Sequence, residues 1–192
     1  MHMNEMTNSI MEMKKDEVLI YDATAEDAAG ILNVKYKTWL STYPRVAPEH
    51  VTKEQIHKEF EDIQHLTNLW EEGLKENNPD KRALVAKHQG EIIGFVTAKR
   101  HADRPSAIGT LYVLEEHQGK GIGKKLINET LTWLGAERAP VVLEVVKGND
   151  DTIDFYEKRG FVFARDMPNF QTQSQHVSIP EIEMIRHPAP IR

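Results

Sequence analysis

A strand, a glycine-rich turn, a helix, a second strand and a second helix follow one another between Leu111 and Phe161, with a tyrosine just ahead of the last glycine. No other stretch restricts the fold as much. Ile108 to Leu114 is a run of strand-forming residues that leads into Gln118-Gly119-Lys120-Gly121-Ile122-Gly123. Ile122, Leu126, Ile127, Thr130, Trp133 and Leu134 then recur at helical spacing, and Gly135 supplies a C-terminal stop. A glycine-rich turn between strand and helix presents bare backbone N–H groups. Joined by the positive end of the helix dipole and by Lys120, Lys124 and Lys125, these donors make a place for a phosphate or pyrophosphate.

Spacing separates the folds that use such a turn. A P-loop reads G-x-x-x-x-G-K-[ST]; here only Lys120, Gly121 and Ile122 lie between Gly119 and Gly123, and Lys125 stands where the magnesium-binding hydroxyl belongs. A dinucleotide-binding turn reads G-x-G-x-x-G, and Lys124 takes its third glycine, although Glu144 does lie about 20 residues further on. The order of elements upstream also disagrees with that fold. The pattern Q/R-x-x-G-x-G/A is met in full by Gln118, Gly121 and Gly123. Together with Leu111-Tyr112-Val113 before it and Asn149, Phe155-Tyr156-Glu157-Lys158 and Gly160-Phe161 after it, the sequence resembles the GNAT superfamily of N-acetyltransferases.

The rest of the chain agrees with that order of elements. Val18 to Tyr21 reads as a strand, and Thr24 with Asp27 as a capping box opening a helix through about Trp39, with a break at Thr42-Tyr43-Pro44. A second helix starts at Thr52 with Gln55 completing its cap, a further helical stretch carries Leu66, Leu69 and Leu74, and Asn77-Asn78-Pro79-Asp80 ends the helical half. Ala83 to Lys87 and Glu91 to Lys99 form a hairpin about His88-Gln89-Gly90; Val141 to Val146 reads as a buried strand, and Phe161 to Ala164 and Val177 to Ile185 as the last two. The resemblance thus covers Val18 to Arg186. It implies an α/β (α+β) GNAT fold: a mixed, mostly antiparallel sheet of about seven strands, splayed in a V between the fourth and fifth, with about four flanking helices.

At 192 residues and 40% hydrophobic, the chain suits one domain, read as 17–187, with 1–16 as a flexible N-terminal extension and 188–192 as a tail. It has no cysteine, which excludes a disulfide scaffold, a thiolate nucleophile and a cysteine-ligated metal. Its nine histidines include no His-x-x-x-His pair, so no metal is expected. A net charge of −6 argues against nucleic acid as a partner, and the apolar runs are too short to cross a membrane. The cytoplasm is the default location.

The resemblance also implies a chemistry. The cosubstrate is acetyl-CoA, the acceptor a primary amine of a small molecule such as a polyamine, and the transfer direct. Backbone groups of Leu111, Tyr112 and Val113 would pair with the pantetheine arm, the amides of Leu111 and Val113 above all. Gln118, Gly119, Lys120, Gly121, Ile122, Gly123 and Lys124 would hold the pyrophosphate, and Asn149 would meet a pantetheine amide. Tyr156 would protonate the departing thiolate as general acid, although its spacing also suits simple packing of a helix on the sheet. Where some family members carry a glutamate base, this chain has Ala107, which leaves Glu144 and Glu91 as substitutes. Trp39, Tyr43 and Arg45 are candidates for the acceptor pocket; the rings serve equally as core anchors, aromatic walls suit a cationic amine, and Arg45 would suit an acceptor carrying a carboxylate or phosphate. The alternatives are a protein N-terminal or lysine acetyltransferase and a CoA-binding regulatory module without catalysis. A homodimer built through the C-terminal strand is compatible with the family.

Overall fold

The computed structural model describes residues 17–188; the extension expected at 1–16 and the tail beyond residue 188 lie outside them. Seven strands form one sheet in the order β1-β2-β3-β4-β5-β9-β6. These are β1 (Leu19–Asp22), β2 (Lys81–His88), β3 (Glu91–Lys99), β4 (Ser106–Val113), β5 (Val141–Val146), β6 (Phe161–Asp166) and β9 (Glu181–Arg186). All neighbours are antiparallel except β4 and β5. Two further short strands, β7 (Phe170–Gln171) and β8 (Ser178–Ile179), pair as a separate hairpin. The turn from β2 to β3 puts Gln89 and Gly90 at φ 52° and 87°, the two positive values that match the twist of a tight hairpin.

Among the described residues five helices accompany the sheet, where about four are expected: α1 (Ala28–Val46), α2 (Lys53–Glu59), α3 (Ile63–Lys75), α4 (Ile122–Leu134) and α5 (Asp150–Glu157). Short 3₁₀ turns at Ala25–Asp27 and Glu115–His117 precede α1 and α4. The Thr24 amide donates to the Asp27 carboxylate at 3.0 Å, as a capping box requires, and Thr52 and Gln55 exchange the corresponding bonds at the head of α2. The break expected at Thr42-Tyr43-Pro44 does not occur. Pro44 removes one hydrogen bond in the last turn, but Ala47 closes the end onto the Tyr43 carbonyl at 2.9 Å, and the side chains of Trp39 and Tyr43 are both tied to Tyr112 of β4. Tertiary anchoring on each side of the proline holds the helix to Val46.

The geometry that matters most lies between β4 and β5. They pair only through Ser106 with Val141, Ala107 with Val142 and Ile108 with Leu143, then separate. The separation begins at a bulge: on β3, Thr97 faces Thr110 and Ala98 faces Ile108, so Gly109 has no partner. An extra residue bends and twists its strand. A β-carbon at Gly109 would stand 2.9 Å from Oγ1 of Thr97, and that hydroxyl accepts from the Thr110 amide at 3.1 Å while sharing a 2.7 Å bond with the Thr110 hydroxyl. The threonine thus fills the space a side chain would need. Among the described residues no helix is long and apolar enough to cross a membrane.

Candidate active site

The splay opens into a cavity of about 290 Å³. Ile108 to Val113 form one wall and Leu143 to Val146 the other; α1 contributes Lys35, Thr38, Trp39, Thr42 and Tyr43, Asn149 and Thr152 come from the head of α5, and Tyr156 from its last turn. Phe170, Gln118 and Glu181 complete it. On β4, the Thr110 amide points at Thr97 and the Leu114 amide donates to the Ile93 carbonyl at 2.9 Å, so both face β3. Strand alternation turns the amides of Leu111 and Val113 the other way, into the gap that β5 has left. These are the two amides singled out from the sequence. Gln118 Nε2 donates to the Val113 carbonyl at 3.0 Å and so fixes the entry to the glycine turn.

Aromatic side chains join the helical wall to the sheet. Trp39 Nε1 donates to Tyr112 Oη at 3.0 Å, and the hydroxyls of Tyr112 and Tyr43 lie 2.8 Å apart. Trp39, only 2% exposed, is both a core anchor and a cavity wall. Tyr156 packs its ring against Phe155 and Phe161. Burial, reinforced by the neighbouring Tyr112, raises its phenol well above the ordinary tyrosine value, so the side chain carries its proton at neutral pH. Burial raises Tyr43 and Tyr112 as well.

Two carboxylates meet at the β5–β9 side. In this register Glu181 faces Val146 and Glu183 faces Glu144, which places all three glutamates on one face. Glu183 is taken by a bidentate pair with Arg165 at 3.0 and 3.1 Å. Glu181 instead shares a hydrogen bond with Glu144, and burial, the Glu144 charge and that bond together push its pKa up to about 7. Glu181 is therefore a carboxyl group able to exchange a proton near neutrality, with the Glu144 carboxylate beside it.

The profile of the acetyltransferase (GNAT) family matches residues 37–161. The chain belongs to the acetyltransferase (GNAT) family. An uncharacterized N-acetyltransferase of Mycobacterium tuberculosis is 32% identical over 140 residues, covering 70% of this chain and 83% of its own length. A mycothiol acetyltransferase of Streptomyces griseus is 39% identical over 85 residues, 42% of this chain and 27% of that one. The PaiA N-acetyltransferase of Thermoplasma acidophilum, solved in complex with coenzyme A, shares the fold with a TM-score of 0.65 at 22% identity, covering 89% of this chain and 99% of that one.

In this GNAT chain the glycine turn borders the cavity through Gln118. Gly119 and Gly121 adopt φ 72° and 82°, left-handed values that glycine reaches without strain, and a β-carbon at either would meet nothing within 4 Å. α4 opens at Ile122 with no acidic residue in its first turn. Among the described residues Lys120, Lys124 and Lys125 are exposed and make no ion pair. Asn149 is buried at the head of α5, yet its carboxamide does not cap its own helix.

Other positions fall elsewhere. Arg45 is exposed, 3.9 Å from Asp151, and is not part of the cavity lining. Glu91 is exposed at the start of β3, also outside the lining, whereas Glu144 is part of it. Among the described residues no group of three His, Cys, Asp or Glu side chains could hold a metal ion. Sequence reasoning missed Lys35, Thr38, Phe170 and Glu181. The Glu181-Ile182-Glu183 alternation marks a strand with two acidic residues on one face, but only the β5 register reveals that one is paired with Arg165 and the other with Glu144.

Proposed function

We propose that the protein transfers the acetyl group of acetyl-CoA directly to a primary amine of a small molecule. The observation that carries this reading is the walled cavity at the β4–β5 splay, where Tyr156 and the Glu144–Glu181 pair both line the space that the free amides of Leu111 and Val113 enter. A cavity closed on several sides by α1, β5 and the β7–β8 hairpin favours a small acceptor over a polypeptide, which would need an open groove.

Acetyl-CoA supplies an acyl group activated as a thioester. The amides of Leu111 and Val113 bind the extended arm as a strand would and donate to the acyl oxygen, a role their orientation into the gap supports. The turn from Gln118 to Lys124 offers positive-φ glycines, the unpaired first-turn amides of α4 and uncompensated lysines to a pyrophosphate, and the Asn149 carboxamide is free to meet a pantetheine amide. An ammonium acceptor must lose a proton before its nitrogen can bond to carbon, and the Glu144–Glu181 pair accepts it. When the new C–N bond forms and the C–S bond breaks, Tyr156 gives its phenol proton to the sulfur, and the second proton that the acylated nitrogen must shed restores the phenol.

Calorimetry with acetyl-CoA, followed on the same sample by thiol release with a panel of amines, tests the reading. Binding followed by release with small amines supports it. Binding with release only on peptides would assign a protein acceptor, and no binding would defeat the reading from Leu111 to Lys124.

A further inference from the structure

The helical wall of the cavity carries polar groups that acetyl transfer itself does not use. Lys35, Thr38, Trp39 and Thr42 recur at i, i+3, i+4 and i+7 along α1, so one stripe of the helix lines the cavity. Thr38 is 7% exposed, and its Oγ1 is buried with no hydrogen-bond partner. Threonines inside helices ordinarily return their hydroxyl to the carbonyl four residues back, and Thr67, Thr130 and Thr132 do so here at 2.8, 2.9 and 2.9 Å. Thr38 does not; Thr42, which also lines the cavity, shows no such bond either, but of the two it is Thr38 whose hydroxyl is buried without a partner.

Lys35 stands one turn earlier. Its ammonium lies 4.8 Å from the Trp39 ring centroid and 5.9 Å from that of Phe60, and among the described residues it makes no ion pair. Burial lowers its pKa, and only the through-space charge of Glu59 opposes that shift; the Glu59 carboxylate itself takes the Ser174 hydroxyl. A partly desolvated cation beside an unpaired buried hydroxyl is a pair of donors awaiting an acceptor.

We propose that the amine acceptor also carries an anionic oxygen group, a carboxylate or phosphate, and that Lys35 and Thr38 bind it. This rests on the acetyltransferase reading above and names the class of acceptor within it. The cavity then has complementary walls: carboxylates at Glu144 and Glu181 for the amine, and donors on α1 for the anion. A polyamine, which the aromatic walls alone would suit, would bring a second ammonium against Lys35. Arg45, the cation marked from the sequence for an anionic acceptor, stays outside the lining, and Lys35 takes the place expected of it.

The test uses matched acceptors at saturating acetyl-CoA: amino acids and aminoalkyl phosphates beside the same amines lacking the anion, diamines included. The wild-type chain is expected to favour the anion-bearing member by about tenfold or more in kcat/KM. Lys35→Met and Thr38→Val should each shrink that ratio through KM, and Lys35→Arg should keep most of it. Equal or better turnover of the anion-free amine by the wild type would overturn this inference alone. So would a Lys35→Met chain that loses acetyl-CoA affinity while its acceptor ratio stays unmoved, because Lys35 would then serve the cosubstrate. Acetyl-CoA binding with thiol release from none of the acceptors would overturn both this inference and the function it rests on.

Discussion

Tyr156, buried, and Glu181, half-buried, are two acids whose environments push them in the same direction. Burial keeps the Tyr156 proton in place, so the phenol can give it up only to a strong base such as a departing thiolate. Tyr156→Phe should therefore lower kcat by about a hundredfold or more while leaving acetyl-CoA affinity close to that of wild type; rates that match wild type from about pH 7 to about pH 10 would remove Tyr156 from the mechanism. Glu181 holds its proton to about 7, against an ordinary carboxyl value of 4.5. As the proposed proton acceptor it should give a kcat/KM that rises as pH passes through about 7, and Glu181→Gln should abolish that rise. Its consequence for stability has the opposite sense. Between 4.5 and about 7 the folded chain binds more protons than the unfolded one, so this group's contribution declines as pH rises through that window. Glu181→Gln should melt like wild type below that window and at a higher temperature above it, as thermal denaturation at the two ends will show. Tyr156, Asn149 and Gln118 were legible because each sits at a fixed short distance from a glycine motif. Glu181 and Lys35 were not, since their meaning comes from a cross-strand register and from a helix laid on the sheet, neither of which leaves a local spacing.

Among the elements, β4 decides whether there is a site at all. Its first three residues pair with β5, and from the bulge at Gly109 onward its outer amides are free. Gly109→Ala would place a β-carbon 2.9 Å from the Thr97 hydroxyl, which is itself held by Thr110. The strand must either push Thr97 aside or straighten. We expect a loss of about 1–3 kcal/mol in chemical denaturation together with weaker acetyl-CoA binding; a variant as stable and as tight as wild type would show that the bulge does not set the splay. A glycine inside a strand pattern is a sign of a bulge or of close backbone approach, so this position carried a signal, although its link to the opening needed the pairing on both sides of β4. The hairpin of β7 and β8 carried almost none: strands of two residues are too short for alternation to be read. The long helix α1 defied its proline because Trp39 and Tyr43 are secured to Tyr112, and that contact spans about seventy residues of chain.

On the scale of the whole molecule, the sheet consists of a four-stranded part, β1 to β4, and a three-stranded part, β5, β9 and β6, joined along one edge by three residue pairs. Element order and the glycine motif were enough to foresee this layout: β2, β3 and β4 follow one another through short connections, and β1, three helices earlier in the chain, takes its place beside β2 as the family order implies. The joint is where the proposed cosubstrate would lie. A ligand whose arm pairs with the amides of Leu111 and Val113 would supply hydrogen bonds that β5 does not make, and under the proposed reading Asn149 would tie the same arm to the three-stranded side. Binding should therefore stabilise the molecule across the joint rather than at the glycine turn alone. At a concentration of about 100 Kd the linkage is about 2.7 kcal/mol, which for a chain of this size corresponds to a rise in Tm of about 5–10 °C. Hydrogen exchange locates the effect. Acetyl-CoA should slow the amides of Leu111 and Val113 and also those of β5 from Leu143 to Val146, on both sides of the gap. Slowing confined to residues 118–125 would mean that the ligand is held by its pyrophosphate only, with the two parts of the sheet left as loosely joined as before.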